Sequence, residues 1–236
     1  MIDIQNVTKR FGKLTALNDV SITCKKGEVI ALLGPNGCGK TTLLKSILGM
    51  VVPTGGEILF NGVPITNKWD YRKNIGYMPQ IGRYPENMTI GQVLDMIKDI
   101  RKHKDDEIDN DLYESFGLHQ LLKKRMRTLS GGTRQKVSAQ LAFMFNSQTL
   151  ILDEPTAGLD PLSTEILKQK ILKEKEKGKL IIITSHILSD LDDLVSHIIY
   201  MQEGKIFFKK EIDELKMETG KKRLSESIAH VMKPTV

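Results

Sequence analysis

Gly34-Pro35-Asn36-Gly37-Cys38-Gly39-Lys40-Thr41 brings glycines, a lysine and a hydroxyl into one short stretch. Glycine tolerates positive φ, so consecutive backbone N–H groups can turn towards a single anion. A helix that starts where such a loop ends adds its own partial positive charge. Lys40 supplies a mobile cation for β- and γ-phosphates, the Thr41 hydroxyl a ligand for Mg²⁺, and Thr42 a donor that can reach an α-phosphate. The chemistry this composition implies is binding of a nucleoside triphosphate with its metal.

Two further stretches carry complementary chemistry. Leu150-Ile151-Leu152-Asp153-Glu154-Pro155 is an apolar run that ends in adjacent carboxylates. Two such charges at the mouth of a buried sheet are costly without a cation. Asp153 is suited to hold Mg²⁺ through water, and Glu154, on the other side of the strand, to polarise an attacking water as general base. The same acidic pair could instead merely cap the following helix. Leu129-Ser130-Gly131-Gly132-Thr133-Arg134-Gln135 opens a helix with small residues, which admit close backbone approach and present N–H groups to an anion. Taken alone, Ser130 there is also an ordinary N-cap. Asp160 followed by Pro161 reads as N-cap and first helical residue.

The elements around these residues fit. Val29 to Leu33 is apolar throughout, as a parallel strand buried on both faces should be, and Thr41 to Leu48 continues as a helix. Ile2 to Val7 and Ser21 to Cys24 alternate like strands, and Ile58 to Gly62 reads as strand and turn. Short strands are expected at Asn74 to Met78, Leu150 to Asp153, Leu180 to Thr184, His197 to Met201 and Lys205 to Phe208. Between Thr89 and Asn146 the pattern turns helical, with Val93, Leu94, Ile97 and Ile100 on one face. The segment after Glu211 is charged and expected to be helical.

In this order, the phosphate loop, the Ser-Gly-Gly helix start and the carboxylate strand resemble the ATP-binding cassette (ABC) ATPases, over about Ile2 to Lys209. The resemblance implies an α/β fold: a P-loop NTPase (RecA-like) core with a mainly parallel sheet, an N-terminal antiparallel β-subdomain and an inserted α-helical subdomain. Its boundaries would be 1–218 for the nucleotide-binding domain, 83–146 for the insert and 219–236 for a charged tail. ATP and Mg²⁺ are the cofactors implied. His186 in Thr184-Ser185-His186 matches the family's switch histidine, which senses the γ-phosphate. Gln80, ending Gly76-Tyr77-Met78-Pro79-Gln80, matches the glutamine that touches Mg²⁺ and water. Phe11 stands where the family places an aromatic ring on adenine, more often tyrosine. Asp160 lies in the loop that links two sites across a dimer interface, and Ser130, Gly131 and Gly132 match the signature that grips a nucleotide held by another protomer. A second copy of the subunit is therefore an implied partner. Cys38 departs from the usual serine or alanine of the loop. Within the family, Ile75 to Met88 and Gly132 to Val137 look closest to the ATPase of the transporter that matures nitrous-oxide reductase, linked to copper-site assembly.

Composition narrows the function class. The chain has 236 residues, 40% hydrophobic and 27% charged, with a formal net charge of +6. Its apolar runs are strand length, short of the roughly 18 residues that span a bilayer, and Met1-Ile2-Asp3-Ile4 does not open a secretion signal. Membrane contact would come only through separate integral permease subunits, with the ATPase cytoplasmic and peripheral on the inner face of the cell membrane. Lys168 to Lys179 and Lys221-Lys222-Arg223 read as solvated helix faces and a polar tail, or as contacts with anionic lipid beneath such a permease. Cys24 and Cys38 suggest neither a disulfide framework nor a metal site. A soluble ABC-type ATPase acting on nucleic acid or the ribosome is the other class considered. Chromosome-type heads insert long coiled coils, whereas Lys40 to Leu129 leaves room only for a compact helical subdomain; translation-type proteins carry two cassettes in one chain. No nucleic-acid partner is expected.

Asn67-Lys68-Trp69-Asp70 matches the guanine-reading motif of GTPases, but it precedes the carboxylate strand and follows a polar turn, the wrong place for that role. Competition with a fluorescent nucleotide should therefore show ATP bound more tightly than GTP; the reverse order would restore the guanine motif.

Overall fold

The computed structural model describes residues 1–102, 108–185, 188, 191–221 and 223–231. The chain divides into two compact units, Met1–Arg72 with Gly178–Val236, and Lys73–Lys177.

The first unit begins with an antiparallel sheet. Strand β1 (Ile2–Phe11) pairs with β2 (Leu14–Cys24) on one side and β4 (Gly55–Phe60) on the other, and β5 (Val63–Pro64) extends the β4 edge. Alternation sets the buried face: Ile2 and Ile4 point inward, opposite Cys24 and Ile22 on β2 and Phe60 and Ile58 on β4. The second sheet of this unit is built on β3 (Val29–Leu33), which lies between β8 (Leu180–Thr184) and β9 (His197–Gln202) and runs parallel to both. Strand β10 (Lys205–Glu211) returns antiparallel beside β9. Every residue of β3 and β8 is buried, as their unbroken apolar sequence requires. Helix α1 (Lys40–Ile47) leaves the loop that follows β3 and buries Leu43, Leu44 and Ile47. At the base of β3 the Lys209 ammonium donates to both oxygens of the buried Glu28 carboxylate, at 2.8 and 2.7 Å, and to the Thr23 carbonyl at 2.9 Å, which fixes β10 to the start of the core.

The charged segment after Glu211 folds as two short helices, α6 (Ile212–Thr219) and α7 (Leu224–Val231). Leu215, Leu224 and Ile228 are buried, and Asp192 accepts from the Leu224 N–H at 2.9 Å while lying 3.6 Å from the Lys216 ammonium.

In the second unit, β6 (Ile75–Met78) and β7 (Thr149–Asp153) run parallel, with Ile75 opposite Thr149 and Met78 opposite Leu152. Helix α2 (Ile90–Arg101) starts in a capping box: the Thr89 hydroxyl accepts from the Gln92 N–H, and the Gln92 side chain accepts from the Thr89 N–H. Helices α3 (Asp111–Ser115), α4 (Gly131–Phe143) and α5 (Pro161–Glu176) complete the unit. Helix α4 lies so close to β6 that a Cβ at Gly76 would collide with the Ala142 carbonyl oxygen. The fold is thus α/β, with an antiparallel N-terminal sheet, parallel strands in the core and inserted helices.

The lysine cluster on α5 differs from the solvated face expected of it. Lys170 is 2% exposed, and its ammonium meets Asp109 at 2.5 Å, Asp111 at 3.0 Å and Glu174 at 3.2 Å. Lys179 is buried too. The carboxylates at 109 and 111 lie some sixty positions away in sequence, so a local charge pattern cannot reveal them. Burial alone would lower the Lys170 pKa, but hydrogen bonds to Asp109 and Asp111 outweigh it and raise the value. A raised lysine pKa means that this contribution to stability is complete below the ordinary lysine range and is lost only as pH climbs through the raised value. Lys170→Met removes the buried partner of Glu174 and of the part-exposed Asp109 and should cost about 3 kcal/mol, read as a drop in melting temperature at pH 7; an unchanged midpoint would contradict the ion cluster.

Candidate functional site

The phosphate loop joins β3 to α1. Gly34 and Gly39 hold φ of +147° and +107°, and both are pressed by neighbouring backbone. A Cβ at Gly39 would stand 2.5 Å from the Ala16 carbonyl oxygen; one at Gly34 would overlap the Met201 carbonyl oxygen and lie 2.7 Å from the Cys38 sulfur. The loop is also tied to the turn between β9 and β10, since the Gly204 N–H donates to the Cys38 carbonyl at 3.0 Å. Lys40 folds over this loop, donating to the Gly34 carbonyl at 2.6 Å and the Pro35 carbonyl at 3.1 Å. Pro35, Asn36, Gly37 and Thr41 are exposed, Thr42 is half-buried, and the Cys38 thiol is turned inward and buried. No side chain caps α1, so its first-turn N–H groups face an anion without a competing acceptor from its N-cap. Phe11 ends β1 with its ring 48% exposed and the Lys9 ammonium 4.9 Å from the ring centre.

The carboxylates belong to the second unit. Asp153 is buried at the end of β7, and burial together with its charge pushes the Tyr77 phenol up to about 12. Glu154 follows at φ +50°, in the left-handed region that non-glycine residues rarely occupy. Gln80 is exposed just past β6. Ser130 caps α4 by accepting from the Thr133 N–H at 3.2 Å, and Ser130 and Gly131 are exposed. Asp160 caps α5, accepting from the Ser163 N–H at 2.9 Å and the Ser163 hydroxyl at 2.7 Å. These bonds, with Lys136 3.0 Å away, hold its carboxyl well below the usual range.

Within this unit three of the expected motifs meet. A Cβ at Gly132 would stand 2.8 Å from the Gly158 carbonyl oxygen, the Gln135 amide lies 3.4 Å from the carbonyls of both Glu154 and Pro155, and Lys136 reaches Asp160. Gln135 and Lys136 are absent from the sequence-based set of site residues. No local signal singles out Gln135, because Ser138 and Gln140 of the same helix are buried and polar as well. His186 lies outside the described residues.

A buried strand running into a glycine loop and a lysine-headed helix, and a second buried strand ending in two acids, define the class of phosphate-loop nucleotide hydrolases. The family model for ABC transporters matches residues 17–157. The lantibiotic transport ATP-binding protein SrtF of Streptococcus pyogenes is 35% identical over 90% of this chain and 92% of its own length. A solved ATP-binding subunit of an ABC transporter is 26% identical, with a TM-score of 0.90 over 99% of this chain and 100% of that one. A dimeric ATP-binding cassette in a post-hydrolysis state, bound to ADP and phosphate, matches in fold with a TM-score of 0.76 at 24% identity, covering 90% of this chain and 99% of that one. The chain belongs to the ABC transporter family, as an ATP-binding subunit with ATPase activity.

The crowding at Gly34 gives a direct check. Gly34→Ala must displace the Met201 carbonyl or the Cys38 sulfur, so ATP affinity and melting temperature should both fall. Retention of wild-type binding would mean that the loop does not need this close approach.

Proposed function

We propose that this subunit works as one of a pair, most simply a homodimer, which closes on two ATP molecules and so drives separate integral membrane permease subunits. The observation that carries the reading is the helix start at Ser130-Gly131-Gly132, where Ser130 and Gly131 are exposed and free of bulk, as an anion presented from outside the chain requires. The dimeric relative with ADP and phosphate supports the pairing.

In this reading the loop from Gly34 to Gly39 wraps the phosphates with its backbone N–H groups, Lys40 leaves the Gly34 and Pro35 carbonyls for the β- and γ-phosphates, and Thr42 reaches the α-phosphate. Phe11 offers its exposed ring to adenine. Thr41, Gln80 and Asp153 would hold Mg²⁺. Their hydroxyl, amide and carboxylate oxygens are the hard donors this cation takes. When bound, it would neutralise charge developing on the phosphates. Glu154 takes the proton of the attacking water; the γ-phosphate sensor expected at His186 lies outside the described residues. Asp160 links the two sites across the interface. In this reading the subunit is peripheral on the inner face of the cell membrane, its membrane contact made through the permease; among the described residues no helix is long and apolar enough to cross a membrane.

For the cargo, the relative named for lantibiotic transport, alike over nine-tenths of this chain, supports a permease that moves a lantibiotic. The copper-maturation reading rests on the likeness of Ile75 to Met88 and Gly132 to Val137. Co-purification of the permease separates the two.

Glu154→Gln should keep ATP, lose about 10²–10⁴-fold in turnover and accumulate as dimer in Mg-ATP by size-exclusion chromatography with light scattering. Ser130→Arg should bind ATP as a monomer yet neither pair nor turn over. Loss of ATP binding by the Ser130→Arg monomer would place the signature's action within its own chain and defeat the two-subunit site.

A further inference from the structure

Glu154 stands at φ +50°, a left-handed conformation uncommon for a residue with a side chain. One group that meets its backbone comes from α4. Gln135 is 5% exposed, and its side-chain N–H₂ lies 3.4 Å from the Glu154 carbonyl oxygen and 3.4 Å from the Pro155 carbonyl oxygen. A left-handed residue between β7 and the turn is what swings these consecutive carbonyls towards one donor. An amide is suited to receive them, because both of its hydrogens lie on one nitrogen. The next residue, Lys136, meets the Asp160 carboxylate at 3.0 Å, and Asp160 in turn caps α5. One turn earlier, Gly132 leaves no room for a Cβ against the Gly158 carbonyl. Contacts from positions 132, 135 and 136 therefore seat the start of α4 on the loop that runs from Glu154 to Asp160.

We propose that Gln135, with Lys136 beside it, is a positioning pair that makes the placement of Glu154 depend on the start of α4. The inference rests on the two-subunit reading above, in which Ser130-Gly131-Gly132 grips the nucleotide of one site while Glu154 serves the other. An anion bound at the head of α4 acts on a rigid helix, and Gln135 lies on its second turn. Gripping the partner's nucleotide thus sets the backbone that aims the general base on the subunit's own nucleotide. The coupling between the sites runs through the Gln135 amide and the Lys136–Asp160 ion pair of one chain.

The test compares kcat, KM, the Hill coefficient for ATP and melting temperature in Gln135→Met, Lys136→Gln, Glu154→Gln and the double variant Gln135→Met with Glu154→Gln. Methionine keeps the length of glutamine and removes the donor. Gln135→Met should lower kcat by roughly tenfold to 10²-fold, the cost of a misplaced base, with KM within about twofold of wild type and a Hill coefficient falling towards one. The Glu154→Gln dimer should survive the added Gln135→Met change, because the amide positions the base and does not make the interface. Lys136→Gln, which opens no cavity, should show the same kcat loss in weaker form and keeps the test open if Gln135→Met does not fold. Wild-type kcat in the folded Gln135→Met variant, or loss of the Glu154→Gln dimer in the double variant, overturns the inference. A fully active Glu154→Gln overturns the functional reading instead.

Discussion

A helix head left without a side-chain cap is the feature around which the phosphate loop of this subunit is built. The start of α1 carries no side-chain cap, and glycine occupies its N-cap position with φ +107°. Helices α2, α4 and α5 instead carry Thr89, Ser130 and Asp160, each accepting from its own first turn. A capped α1 would be a better helix and a poorer anion site. The cost of leaving it open is offset locally: Lys40 braces the loop through the Gly34 and Pro35 carbonyls, and the turn at Gly204 clasps Cys38 from the other side. The loop is therefore shaped in advance of a ligand, which lowers the ordering cost of binding.

The start of α4 solves a different problem. Its cap at Ser130 satisfies one donor of the first turn while Gly131 keeps the approach open. A partly capped helix head favours negative charge through its dipole without the deep cradle that α1 provides. In the proposed pairing the contrast fits a surface that engages and releases a phosphate repeatedly, where too firm a grip would stall the cycle.

Much of this was legible in the sequence because the responsible residues are contiguous. The runs at 29–33, 150–152 and 180–183 are apolar without a break, the pattern of a strand covered on both faces. The loop from Gly34 to Thr41 and the acids at 153 and 154 carry their chemistry in their spacing. Contacts between distant segments were not legible. Lys170 sits in a lysine-rich helix that reads as a wet face, and only the fold brings Asp109 and Asp111 to it. The left-handed turn at Glu154 has no local signature either: glutamate is a poor residue for that conformation, and what stabilises it is an amide nineteen positions upstream.

The Lys170 cluster has a mechanical consequence. It knots residues 109–111, at the entrance to α3, onto the same helix whose first residue is capped by Asp160. A close-packed interior yields little to load, and a lysine clasped by several carboxylates cannot slide along them without stranding charge. A push delivered to the α3 region is therefore passed along α5 with little slack, much as a crank passes torque to its shaft. Lys170 and Glu174, each only 2% exposed, form the part of this knot that water does not reach.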